Sequence, residues 1–159
     1  AFEHWKNYDK ALFEQIMASV TGKIKEFPVK IFASDMSRRA LEAARNNAIA
    51  ADVASDIRFE CRDFKDYPEQ TEKSFLFLNP PYGERLQPAE LEGLYKMIGS
   101  TFKHRFPGSQ AWVFSSVPDS IRWIGLRPSR KIALFNGDLE CRLLKYDLYA
   151  GSKKDMYTT

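Results

Sequence analysis

The 159 residues contain no G-x-G triplet, so no glycine turn of the dinucleotide-binding kind is present. The two cysteines, Cys61 and Cys141, lie eighty positions apart, which excludes C-x-x-C metal or redox chemistry. They read as reduced core residues of a cytosolic protein. The two histidines, His4 and His104, fall in different helical stretches without metal or triad spacing. Both read as structural, and no metal site is expected. No apolar run approaches the roughly 18 residues of a membrane span, and no charged-then-apolar leader opens the chain. A net charge of +3 gives little whole-molecule attraction to nucleic acid, so any such affinity must come from local clusters. There is no initiator methionine: the chain starts at Ala1, already inside a helical pattern, as expected of a fragment or processed piece.

What is present alternates. Phe2, Trp5, Leu12, Phe13, Ile16, Met17, Val20 and Ile24 recur at three- and four-residue steps, predicting an amphipathic helix broken near Asp9, the N-cap of its second part. Val29–Ser34 reads as a strand closed by Asp35, followed by an Ala-rich helix from Arg38 to about Ala51 that Ser37 can cap. Strands are predicted at 57–62, 74–79 and 111–116, the last being the most hydrophobic and so interior to a sheet. Pro88 opens a helix to about Phe106 with Leu91, Leu94, Tyr95, Ile98 and Phe102 on one face. Asn136-Gly137 between two strand-like runs predicts a type I′ hairpin with φ > 0 at both centres. No repeat or linker divides the chain, and 151–159 is a polar tail. The fold class is α/β, with a mostly parallel sheet closed by an antiparallel hairpin.

Ligands of open α/β sheets bind at the carboxyl ends of the strands. Three strands here end in a polar residue: Asp35, Asp63 and Asn79. Asp35 suits the hydroxyls of a ribose, with Met36 beside it to pack on an adenine face. Asp63 can accept from an adenine amine while Phe64 covers the ring. A lone Asp after a strand also serves as a turn or cap residue. The third end is Asn79-Pro80-Pro81-Tyr82. Its prolines fix φ and remove N–H groups, which leaves carbonyls exposed. The Asn79 amide oxygen and the Pro80 carbonyl can both accept from one exocyclic amine, and Tyr82 can stack on its ring.

This order resembles the class I S-adenosylmethionine-dependent methyltransferases, and the Asn-Pro-Pro-Tyr loop resembles that of their amino-group-modifying members. Phe2-Glu3-His4-Trp5, Ser34-Asp35, Ala44-Arg45-Asn46-Asn47-Ala48, the octet from Asn79 to Leu86, and Asn136-Gly137-Asp138-Leu139-Glu140-Cys141 are similar to one family in particular. It is the bacterial 23S ribosomal RNA guanine-N2 methyltransferase family of the RlmL type. The resemblance implies a Rossmann-like sheet, S-adenosyl-L-methionine as cofactor and 23S rRNA or its large-subunit precursor as partner. It makes Asp35, Met36, Asp63, Phe64 and Asn79 cofactor residues, Asn79, Pro80, Pro81 and Tyr82 the catalytic target-base site, and Tyr82 and Arg85 RNA contacts. It further implies that residues 1–150 are the carboxyl-terminal two-thirds of a catalytic domain. The family's first strand, its Gly-rich loop and an earlier THUMP-type module would then lie outside this sequence. Poor cofactor binding by this chain alone is expected, and so is a sheet gap between the strands ending at Asp35 and Asn79.

Three other readings remain open on the residues: adenine-N6 DNA or glutamine-N5 protein methylation, a nucleotide-dependent oxidoreductase, and a non-catalytic RNA-binding or assembly module. Arg85 has an ion pair with Glu84 or Glu90 as its alternative role. Arg38, Arg39 and Arg45, Lys103 and Arg105, Arg127, Arg130 and Lys131, and Lys153 and Lys154 form basic groups that can line an RNA path or be solvated faces. Phe59, Phe75, Phe77, Trp112 and Phe114 are expected in the core.

Overall fold

The computed structural model describes residues 2–81 and 87–149. Its residues group into two compact units, Ala1–Ala33 with Arg39–Glu60, and Ser34–Arg38 with Cys61–Thr159. The strands form two separate sheets among the described residues. β1 (Ile31–Asp35) pairs with β2 (Ile57–Cys61), and the order in the other sheet is β3 (Phe75–Leu78), β4 (Gln110–Ser115), β6 (Leu139–Asp147), β5 (Arg130–Asn136).

In the first unit, Asp9 caps α1 (Lys10–Thr21), its carboxylate accepting from Leu12 N–H at 3.0 Å. The break foreseen at this point is a separate 3-10 turn, Phe2–His4, whose Phe2 ring packs on Tyr8 and Phe13. Arg45 of α2 (Arg38–Ala50) lies over the Phe59 ring at 5.1 Å. Leu12, Ile16, Met17 and Val20 form the expected apolar stripe of α1, yet each is about half exposed. Ala48 is the one buried hydrophobic of this unit among the described residues.

The second unit holds the core. α3 (Pro88–Arg105) starts from a capping box in which Gln87 N–H donates to the Glu90 carboxylate at 2.8 Å. Leu91, Tyr95, Ile98 and Phe102 of α3 are buried against Leu76 of β3, Ala111 and Val113 of β4, and Leu144 and Tyr146 of β6. Each of the larger side chains contributes roughly 1.5–3 kcal/mol on burial, so this face holds the layer together. β3 and β4 are parallel, with Leu78 opposite Val113, and β6 runs antiparallel to β4 and β5. β4 is interior, as its composition foretold.

Tyr95 and Ser115 share a buried hydrogen bond of 2.6 Å, and Ser115 Oγ also accepts from Val117 N–H at 3.1 Å. This ties α3 to the point where β4 leaves the sheet. Tyr95→Phe is expected to cost about 1 kcal/mol, because the ring still packs while Ser115 loses a partner. A urea midpoint that does not move would contradict it.

Three expectations need correction. The hairpin loop is Gly137-Asp138, since Asn136 still pairs with Leu139, and Gly137 has φ 61° while Asp138 is not positive. Only the first central residue is left-handed, which is the II′ pattern with Gly leading, not I′. Phe75 and Phe77 are 68% and 63% exposed, because they alternate with Leu76 and so lie on the face of β3 turned away from the core. Cys61 is exposed, whereas Cys141 is buried as expected.

Candidate active site

The carboxyl ends of β1 and β2 lie side by side. Arg62 N–H donates to the Asp35 carbonyl at 3.1 Å, and Cys61 Sγ lies 3.5 Å from the Met36 carbonyl. Asp35 and Asp63 are therefore brought to one edge. Asp35 is exposed, and its Oδ1 accepts from Ser37 N–H at 2.7 Å, an Asx turn that leads into α2. This turn fixes the carboxylate and leaves Oδ2 for a donor such as a hydroxyl. Met36 is 70% exposed, so its thioether is available to a flat apolar ligand.

Asp63 is more engaged. Its Oδ1 accepts from Lys65 N–H at 3.1 Å, and its Oδ2 pairs with Lys65 Nζ at 2.9 Å. The Lys65 ammonium and N–H hold the Asp63 carboxyl below the usual carboxylate range, against the opposing effect of burial. Asp63 thus caps a short turn, the alternative role that its position after a strand allowed. Lys65 went unnoticed in the sequence because a lysine two residues after an aspartate carries no signal of its own.

The sign of the pH effect follows. A carboxyl lower in the folded state than its unfolded value of about 3.9 stabilises the protein above that pH. That contribution is lost as pH falls through the folded value. Asp63→Asn is expected to flatten the fall in melting temperature as pH drops below about 4. An acid limb as steep as in the wild type would show that Asp63 contributes nothing to it.

Phe64 does not stand free over this edge. Its ring stacks on Phe106 at 5.7 Å and 8°, meets Phe102 edge-on at 5.8 Å and lies 6.1 Å from Tyr67. Only the part of the ring left half-buried can meet a ligand.

Asn79 and Pro80 follow β3, which belongs to the other sheet. Asn79 is exposed and Pro80 is buried, so the loop leaves the sheet with its first proline anchored and its amide outward. The paired register of β3 and β4 ends at Leu78 and Val113, one residue before Asn79. Pro81 is exposed. Tyr82 and Arg85, with the rest of the octet to Leu86, lie outside the described residues, as does the 151–159 tail. No cluster of His, Cys, Asp or Glu able to hold a metal occurs among the described residues. No helix among them is long and apolar enough to cross a membrane.

Parallel strands with polar carboxyl ends, a helical layer on α3's side and an antiparallel closing hairpin define the Rossmann-like α/β architecture of class I methyltransferases. The family model of the RMKL-like methyltransferase domain matches residues 4–145, and the chain belongs to that family. A ribosomal RNA large subunit methyltransferase K/L of Shewanella baltica (strain OS185) is 33% identical over 158 residues, which cover 96% of this chain and 22% of the relative. A crystal structure of a candidate methylase from Clostridium difficile 630 superposes with a TM-score of 0.81 at 28% identity, covering 95% of this chain and 40% of that one. SMU.472, solved in complex with SAH, gives 0.78 at 25% identity, with coverage of 96% and 40%. The chain thus spans about a fifth of the length of this curated relative.

Proposed function

We propose that this chain is part of the catalytic domain of an S-adenosylmethionine-dependent methyltransferase acting on the exocyclic N2 amine of a guanine in 23S rRNA. The observation that carries this reading is the end of β3, where a buried Pro80 fixes an exposed Asn79 at the carboxyl edge of the sheet. Such an edge presents one amide oxygen and one peptide carbonyl to a single amine. The family membership of residues 4–145 supports it, and so does the name of the Shewanella relative.

The residues at the carboxyl ends of β1 and β2 fit the cofactor. Asp35 presents a fixed, exposed carboxylate for ribose hydroxyls, and Met36 an exposed thioether for the adenine face. Asp63 accepts an adenine amine through lone pairs beyond those that Lys65 uses, and half-buried Phe64 borders it. S-adenosylmethionine, when bound, supplies an electrophilic methyl group on a sulfonium.

The chain's own residues then position and polarise. The guanine amine is a poor nucleophile because its lone pair is delocalised into the ring. Acceptors at Asn79 and the Pro80 carbonyl orient it and stabilise the positive charge that develops on nitrogen. The base must leave its stack to reach this edge, with Tyr82 as its stacking partner and Arg85 as a nearby phosphate contact. No proton needs to be removed before attack, so no general base is assigned.

Mass spectrometry of 23S rRNA nucleosides from a strain lacking the gene tests the assignment. One N2-methylguanosine is expected to disappear. Unchanged N2-methylguanosine with loss of an N6-methyladenine or a methylated glutamine elsewhere would move the chemistry to another acceptor.

A further inference from the structure

The other end of the second sheet carries charge that the proposed site does not use. Arg127, Arg130 and Lys131 are exposed at the start of β5, the edge strand opposite β3 in the sheet order. Their segment is pinned, since Ser129 N–H donates to the Lys145 carbonyl at 2.8 Å. Arg130 stands directly opposite Lys145, an unfavourable like-charge pairing across antiparallel strands. Asp147 pairs with Lys145 at 3.2 Å, and the Ser129 hydroxyl and the Lys145 ammonium hold its carboxyl below the usual range. Arg127, Arg130 and Lys131 make no ion pair among the described residues.

Register relates this cluster to the acceptor. Arg130 is level with Lys145, Trp112 and Phe77, two residues short of Asn79. Three interstrand spacings of about 4.8 Å and two residues of about 3.3 Å separate the Cα atoms of Arg130 and Asn79 by roughly 16 Å. That span equals about five base steps of about 3.4 Å along one strand. Successive residues of β5 point to opposite faces, so Arg130 and Lys131 straddle the edge and Arg127 precedes it.

We propose that Arg127, Arg130 and Lys131 contact the phosphate backbone of the RNA at this edge, on the far side of the sheet from Asn79. The proposal rests on the RNA reading of the function. A polyanion relieves the opposed charges of Arg130 and Lys145. Contacts to phosphates hold the nucleic acid in register without reading its sequence, and leave base selection to the Asn79 end.

The test is the salt dependence of RNA binding by this chain. The probe is a fluorescein-labelled hairpin of about 20 nucleotides, titrated between about 20 and 200 mM KCl. Arg127→Gln/Arg130→Gln/Lys131→Gln is expected to reduce the slope of log K against log salt by about 2 to 3 units. Arg127→Gln alone, which leaves β5 intact, is expected to reduce it by about 0.7 to 0.9. The charge-conserving Arg127→Lys/Arg130→Lys/Lys131→Arg keeps the wild-type slope. An unchanged slope in the glutamine variants overturns the contact while leaving the substrate reading to the nucleoside spectra. Absence of wild-type binding at the lowest salt overturns it too. Aggregation of the triple glutamine variant with an unchanged slope identifies the cations as guards of an exposed edge strand instead.

Discussion

Gly99→Ala is expected to destabilise the protein by about 3 kcal/mol, lowering its melting temperature by roughly 10 °C. Gly99 is buried in α3 against the 3-10 turn Pro118–Ile124. A Cβ there would overlap the Ile124 carbonyl oxygen and lie 2.7 Å from its carbonyl carbon. The turn cannot retreat easily, because Ile124 is 2% exposed in the core. Gly125, next in the chain, must also hold φ 66° while its N–H donates to the Arg122 carbonyl at 3.2 Å. Helix propensity pulls the other way by nearly 1 kcal/mol, and the overlap exceeds it. Gly93 supplies the control on the same helix, exposed and with nothing within 4 Å of where a Cβ would stand. Gly93→Ala is expected to raise stability by about 0.5–1 kcal/mol. Equal midpoints for Gly99→Ala and wild type in urea would show that the turn yields, and the close packing would then carry no weight.

The same helix shows where sequence reading works and where it stops. The Leu91, Tyr95, Ile98 and Phe102 face is legible because period 3.6 records which side meets a sheet, and that side is buried. Asp9 and β4 are legible for the same local reasons, a cap chemistry and an apolar run. Gly99 against Ile124 is not, since a glycine inside a helix reads only as a weak position until its neighbour is known. Phe75 and Phe77 failed because hydrophobicity alone does not tell whether both faces of a strand are covered. The hairpin failed by one residue, since Asn136-Gly137 and Gly137-Asp138 are both good turn pairs and only the register separates them. At the candidate site, the strand ends Asp35, Asp63 and Asn79 were legible because polar residues after apolar runs mark carboxyl edges. The Lys65 clamp and the Tyr95–Ser115 bond were not, since each depends on a distance.

Asn79→Ala is expected to reduce the rate constant of methyl transfer by about 10²–10³, which corresponds to roughly 3–4 kcal/mol at the transition state. The side chain is exposed beyond β3, so its truncation opens no cavity in the core. In the proposed reaction its oxygen contributes most when the amine nitrogen becomes positive, and less to the neutral base before transfer. On that reading its removal lowers kcat and leaves KM for RNA nearly unchanged, because the proposed phosphate contacts still hold the nucleic acid. Asp35→Ala is expected to do the reverse, raising KM for S-adenosylmethionine with a smaller effect on kcat, since ribose hydroxyls do not change during the reaction. Steady-state transfer of labelled methyl groups to 23S rRNA by the product of the complete gene separates the two. Asn79→Asp retains an acceptor oxygen and should fall between wild type and alanine. If Asn79→Ala raised KM for RNA and spared kcat, Asn79 would be a docking contact, and polarisation of the amine would have to come from the peptide carbonyls of the Pro-Pro loop.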